Sequence, residues 1–144
     1  MYKFFKILNI ALFVVFLLTP LAISANEKIK IGLLVPITGN DKELGQQIVK
    51  STRKALKEID NKNLEIYLKD TNSNPNKTLR SANELKDLGV KIVIGPVFFK
   101  SLEYLDEVDG MKFLSLTNKT LNLPSNVISA GVNATSQLNT IKKF

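Results

Sequence analysis

The chain has 144 residues and a formal charge of +7, from 20 Lys and Arg against 13 Asp and Glu. It contains no cysteine, histidine or tryptophan. That composition excludes a disulfide framework, a thiol nucleophile, a zinc–cysteine site, a lipid-modified cysteine and any Ser-His-Asp arrangement.

The first segment reads as an export signal. Lys3 and Lys6 give a positive start, Ile7 to Leu18 is apolar apart from Asn9, and Thr19-Pro20 breaks the run before the small residues Ala22 to Ala25. The spacing predicts a secretory signal peptide over residues 1–25 and a mature domain over 26–144. The alternative is an uncleaved membrane anchor, for which Ile7 to Ile23 is short and is interrupted by Asn9 and Pro20. Both readings place the remainder outside the cytoplasm, in the periplasm. About 120 residues then remain, enough for one small domain. Its basic residues run from Lys28 to Lys143 with acids among them and form no block, so nucleic acid is not an expected partner.

Lys28 to Val35 begins by alternating and ends as an apolar run closed by Pro36, the pattern of a strand buried on both faces. Thr38-Gly39-Asn40 is a turn, and Asn40 with Glu43 forms a capping pair for a helix from Asp41 to Asp60. Leu44, Ile48, Thr52, Ala55, Leu56 and Ile59 make its apolar side. Leu64 to Asp70 alternates as a second strand. Asn74-Pro75 starts a second helix with Leu79, Ala82, Leu85 and Leu88 on one face, ended by Gly89. Val90 to Ile94 is the third strand, stopped by Gly95-Pro96. A short helix over Lys100 to Val108, a fourth strand over Lys112 to Leu116, a weaker fifth over Asn126 to Ala130 and a last helix from Ala134 follow.

This alternation predicts an α/β fold, a doubly wound parallel sheet in the order 2-1-3-4-5 with helices on both faces. Leu33, Leu34, Ile92, Val93, Ile94 and Leu114 are its expected core. Ligands of such sheets sit beyond the carboxyl ends of the strands. There the sequence supplies hydroxyls, amides and an aromatic, and the candidate ligand-binding residues are Thr38, Asn72, Phe98, Ser101, Thr117 and Asn118. Helix starts at the same edge would offer N–H groups to an anion. Each feature also has a plainer reading: Thr38 to Asn40 as turn and cap, Asp70-Thr71 as a loop brace, Gly95-Pro96 as a strand end, and the Phe98-Phe99 pair as core. Enzyme templates fit poorly. A receiver domain needs acids where Val35 and Pro36 stand, and no phosphate-cradling glycine motif is present. The cluster Asp106, Glu107 and Asp109 lacks metal-site spacing, so no metal, cofactor or catalytic residue is expected.

The residues also resemble a known family. Ile31 to Gly39 followed by Leu44-Gly45-Gln46, Leu68 to Thr71 with Asn74-Pro75, Gly95-Pro96-Val97-Phe98, and Leu114 to Asn118 stand in order. Together they are similar to the leucine-binding-protein group of type I periplasmic binding proteins. The Gly-Pro-Val-Phe and Ser-Leu-Thr-Asn segments look most like the activators of penicillin-binding proteins within it. In amino-acid binders of this group a serine commonly stands three residues after the proline of Gly-Pro; here Phe99 holds that position and Ser101 comes two residues later. The resemblance implies a non-catalytic protein made of the first part of lobe 1, a truncated or split form that offers half a cleft. A separate chain would then supply lobe 2. It implies capture of a small polar ligand such as an amino acid for an ABC permease or, alternatively, regulation of a peptidoglycan synthase; a non-functional remnant would have the same sequence.

Overall fold

A computed structural model describes residues 28–132 and 134–142; the expected signal segment lies outside the described residues. In chain order the elements are β1 (Ile29–Val35), α1 (Lys42–Ile59), β2 (Leu64–Asp70), α2 (Pro75–Asp87) and β3 (Ile92–Ile94). Two 3-10 turns (Phe99–Leu102 and Leu105–Glu107), β4 (Lys112–Ser115), β5 (Val127–Ser129) and α3 (Ala134–Ile141) complete them. The five strands form one parallel sheet in the order β2-β1-β3-β4-β5. The chain leaves β1 toward β2 and leaves β3 toward β4, in opposite directions, so the β1/β3 boundary is the topological switch point of a doubly wound sheet.

Local chemistry explains most of the boundaries. Pro75 opens α2, and the Asn74 side chain accepts the Lys77 N–H at 3.0 Å, as expected of an N-cap. Gly89, with φ +79°, ends the same helix. The cap of α1 differs from expectation: Asp41, not Asn40, holds the cap position and its side chain makes no capping bond. Instead its carboxylate accepts the Ser73 hydroxyl at 2.6 Å, tying the helix start to the loop after β2. The segment expected as a short helix is two 3-10 turns, with N–H bonds reaching back three residues from Ser101, Glu107 and Val108. The Asn126 amide donates to the carbonyls of Leu105 (2.5 Å) and Val108 (3.2 Å), which fixes the second turn against the start of β5.

The two faces of the sheet are covered unequally. Leu34, Val93, Phe113 and Val127 point to one face, where they pack with Ala82 and Leu85 of α2 and with Leu102, Leu105, Val108 and Met111. This is the main core, and the expected burial of Leu34 and Val93 holds there. The opposite face carries Leu33, Ile94, Leu114 and Ile128 in one cross-strand row, with Ile31 and Ile92 in the next. Leu33 is buried on this side. Ile92, however, is 53% exposed and Leu114 39%, and Ile94 is only half-buried. The expectation that all of them lie in the core is corrected. Right-handed crossovers place α1 over β1 and β2 on this face, while every connection from β2 through to β5 runs over the other. Leu88, expected on the buried side of α2, is likewise 41% exposed, beyond the last turn.

Two glycines are set by close approach. A Cβ on Gly45 would lie 1.7 Å from the Pro36 carbonyl oxygen, because the first turn of α1 crosses directly against the end of β1. Gly95 combines φ +108° with a backbone contact to Leu34 that a Cβ would bring to 2.0 Å.

Candidate functional site

The loops after β1 and β2 are joined by one carboxylate. Asp70 ends β2, opposite Val35 at the end of β1. Its Oδ1 accepts the N–H groups of Ile37 (2.9 Å), Thr38 (3.3 Å) and Asn72 (2.9 Å). Its Oδ2 accepts the Thr38 hydroxyl and the Lys77 ammonium, both at 2.5 Å. Burial alone would raise the Asp70 pKa. The Lys77 ammonium, the Thr38 hydroxyl and the N–H groups of Asn72 and Ile37 outweigh it and hold the carboxyl well below the usual range. With both oxygens engaged and the charge fixed, Asp70 positions the loops and is badly placed to take a proton from anything bound.

Thr38 and Asn72 are therefore brought together, both exposed. The Asn72 side chain lies against Gly39, where a Cβ would stand 2.1 Å from its Oδ1. Asn72 and Ser73 both have positive φ (47° and 53°), a turn that an amide side chain tolerates. The amino-terminal turns of α1 and α2 open on this same edge.

The second half of the edge follows β3 and β4. Gly95-Pro96 is a cis peptide, and the Pro96 carbonyl accepts both the Leu116 N–H (3.0 Å) and the Ser115 hydroxyl (2.8 Å). Ser115 is fully buried and its oxygen also accepts the Thr117 N–H at 3.3 Å. Thr117 is 4% exposed; its hydroxyl accepts the Lys119 N–H, and its carbonyl accepts the Ser129 hydroxyl and the Gly131 N–H. Asn118 beside it is exposed. Phe98 is half-buried, and its carbonyl accepts the Ser101 N–H at 3.0 Å. Ser101 itself is 1% exposed, with a hydroxyl that finds no hydrogen-bond partner among the described residues. Phe99 packs against the core and carries the Lys119 ammonium 4.3 Å above its ring centroid.

All six candidates thus lie after the carboxyl ends of β1 to β4, but in two sets and at two depths. Thr38, Asn72 and Asn118 face outward, Phe98 is partly covered, and Ser101 and Thr117 are turned inward. Sequence reading did not single out Lys77, Gly131 or Lys119, which together with Ser115 hold the loops in place. Only Lys77 had a usable signal, three residues into a helix that starts beside the acid it neutralises. A cavity of about 570 Å³ between the first 3-10 turn and the β4–β5 connection, walled by Phe99, Leu102 and Leu123, lies beside this edge rather than on it.

A family model described as periplasmic binding protein matches residues 28–142. No curated protein matches the chain. Among solved structures, full-length LpoA from Haemophilus influenzae is similar, with 26% identity and a TM-score of 0.63 over 88% of this chain and 24% of that one. The LpoA C-domain, described as a regulator of PBP1A, gives 25% identity and a TM-score of 0.62 over 79% of this chain and 37% of that one. The leucine-binding protein LivK from Thermotoga maritima, at 19% identity and a TM-score of 0.59 over 69% of this chain and 31% of its own, shares the fold. The chain therefore spans between about a quarter and somewhat more than a third of the length of these structures.

Proposed function

Because the chain belongs to the periplasmic binding protein family, we propose that it is an exported, non-catalytic regulator of cell-wall synthesis, whose carboxyl-end edge contacts a peptidoglycan synthase of the PBP1A kind. The observation that carries this reading is the inward placement of Ser101 and Thr117. Their hydroxyls are turned away from the edge, which offers Thr38, Asn72, Phe98 and Asn118 at its surface. Such a surface suits a protein partner better than a small solute, which needs a concave site that buries most of its area. The likeness to LpoA supports the same direction.

The second reading is capture of a small polar ligand, an amino acid among them, for an ABC permease. It is favoured by the exposed Thr38 and Asn72 next to two helix starts and by the fold shared with LivK. It requires the other half of a cleft, which lies outside the described residues. The two readings separate in one titration of isotope-labelled protein, following backbone amides, with leucine, other amino acids, peptidoglycan fragments and a soluble PBP1A-type synthase domain. The regulator reading expects saturable shifts at Thr38, Asn72, Phe98 and Asn118 with the synthase alone. Tight saturable binding of leucine to the isolated chain would overturn it, as would synthase-induced shifts confined to the opposite end of the sheet.

A further inference from the structure

The outer edge of β2 has a backbone and a charge that select what can pair with it. β2 is outermost in the order β2-β1-β3-β4-β5, with β1 as its neighbour. The Thr71 N–H donates to the Val35 carbonyl, and the Asn63 carbonyl accepts the Ile29 N–H. The odd-numbered residues of this segment therefore turn their backbone groups toward β1. Backbone direction alternates along a strand, so the even-numbered residues turn theirs outward. At the two ends these are already engaged, the Leu64 N–H by the Asn61 carbonyl and the Asp70 carbonyl by the Ser81 hydroxyl. Between them the outward groups of Ile66 and Leu68 have no partner among the described residues.

The side chains along this edge differ on the two faces. On the main-core face Glu65 accepts the Lys28 ammonium and the Tyr67 hydroxyl, and Lys69 donates to Glu84 at 2.5 Å, so charges of both signs neutralise one another. On the other face Leu68, in register with Leu33, lies beside α1. There an open cavity of about 410 Å³ is floored by Ile37, Val49 and Leu68 and walled by Gln46, Lys50 and Arg53. No acid lines it. Lys50 and Arg53 are exposed, and neither has an ion-pair or hydrogen-bond partner among the described residues. Charges beside a sheet edge ordinarily keep other strands away. Here the guard has one sign: it repels a second copy, which would bring the same two cations, and attracts carboxylates.

We propose that β2 pairs with an extended segment of another protein, added as a sixth strand, whose side chains on the α1 face are an apolar residue with a carboxylate two positions away on each side. Its backbone bonds to Ile66 and Leu68 supply affinity, and the groove supplies specificity. The two-residue period of a strand puts all three side chains on one face. The apolar one fills the space over Ile37, Val49 and Leu68, and the carboxylates meet Lys50 and Arg53. Every wall of this groove comes from α1, β2 and the residue pair after β1, and the pairing does not depend on what the carboxyl-end loops bind.

The test uses the full chain, isotope-labelled, and two synthetic peptides of about nine residues, a little longer than β2. Both carry threonine at every second position and a central leucine on the other face, flanked there by glutamates in one peptide and by lysines in the other. The glutamate peptide is expected to bind saturably, at least about tenfold more tightly than the lysine peptide, and to slow hydrogen exchange at the Ile66 and Leu68 amides. The same peptide N-methylated on its pairing amides should not bind. Lys50→Glu with Arg53→Glu, a change of two exposed and unpaired side chains, should reverse the preference between the peptides. No saturable binding, equal affinity for the two peptides, equal affinity for the N-methylated form, an unchanged preference in the double variant, or unchanged exchange at Ile66 and Leu68 would each overturn the proposal. So would a concentration-dependent dimer that protects the same amides and that the glutamate peptide does not dissociate, which assigns the edge to a second copy, or stronger binding to anionic phospholipid vesicles than to the peptide.

Discussion

Asp70 shows how one side chain can organise a surface without acting on anything. Its two oxygens receive the donors of Ile37, Thr38, Asn72 and Lys77, so the loops after β1 and β2 are tied to each other. Its pKa is depressed in the folded protein, so its contribution to stability is complete above the unfolded value of about 3.9 and is lost as pH falls below it. Thermal melts from pH 7 down to pH 2 should show a loss of stability beginning near pH 4. In Asp70→Asn the neutral-pH melting point should drop and much of that acid dependence should vanish. Removing a partner from bonds to a charged group costs about 1.5–3 kcal/mol, and equal acid sensitivity in the variant would refute the assignment. A second residue-scale expectation concerns Gly45: alanine there places a Cβ 1.7 Å from the Pro36 oxygen, so Gly45→Ala should destabilise the protein markedly despite the higher helix propensity of alanine. Chemical denaturation reads it directly.

At the scale of elements, regular chemistry made β1, α1, β2 and α2 readable from sequence. Each has a clear period and a punctuating residue, such as Pro75 behind Asn74 or Gly89 after Leu88. The same periodicity was less informative over the second half. Ile92 and Leu114 stand in apolar runs, and a strand buried on both faces looks identical to one with an empty face; only the placement of the crossovers decides, and that is a non-local property. Lys100 to Val108 has helical spacing at Leu102 and Leu105, yet bonds from Asn126, distant in sequence, stabilise two tight turns instead. The six candidate residues lie after the strand ends where sequence put them, but the depth of each was not readable. Ser101 and Thr117 are polar, and their burial follows from Pro96, Ser115 and Gly131 drawing the loops inward. The unequal faces predict unequal mutational costs. Val93→Asp sets a carboxylate in the main core and should cost several kcal/mol, whereas Leu114→Asp should cost far less. Paired urea titrations would show similar losses for both if the faces were in fact equivalent.

For the whole molecule, the proposed export makes a plain expectation: mass spectrometry of the periplasmic fraction should find a chain that has lost residues 1 to about 25, and an intact Met1 on that species would refute cleavage. The family match covers almost everything after that point, while the chain spans only about a quarter of full-length LpoA. The described residues offer a single edge rather than two facing walls, so this chain by itself is expected to bind a free amino acid poorly.

The bare face also leaves a thermodynamic imprint. Ile92, Leu114 and Ile128 are already 39–59% exposed in the folded protein, so they gain less water on unfolding than fully buried residues do. Unfolding heat capacity normally amounts to about 12–15 cal/mol/K per residue, and the denaturant m-value scales with newly exposed area. Both should fall below the values typical of a domain this long, giving a flatter stability curve and a broader urea transition.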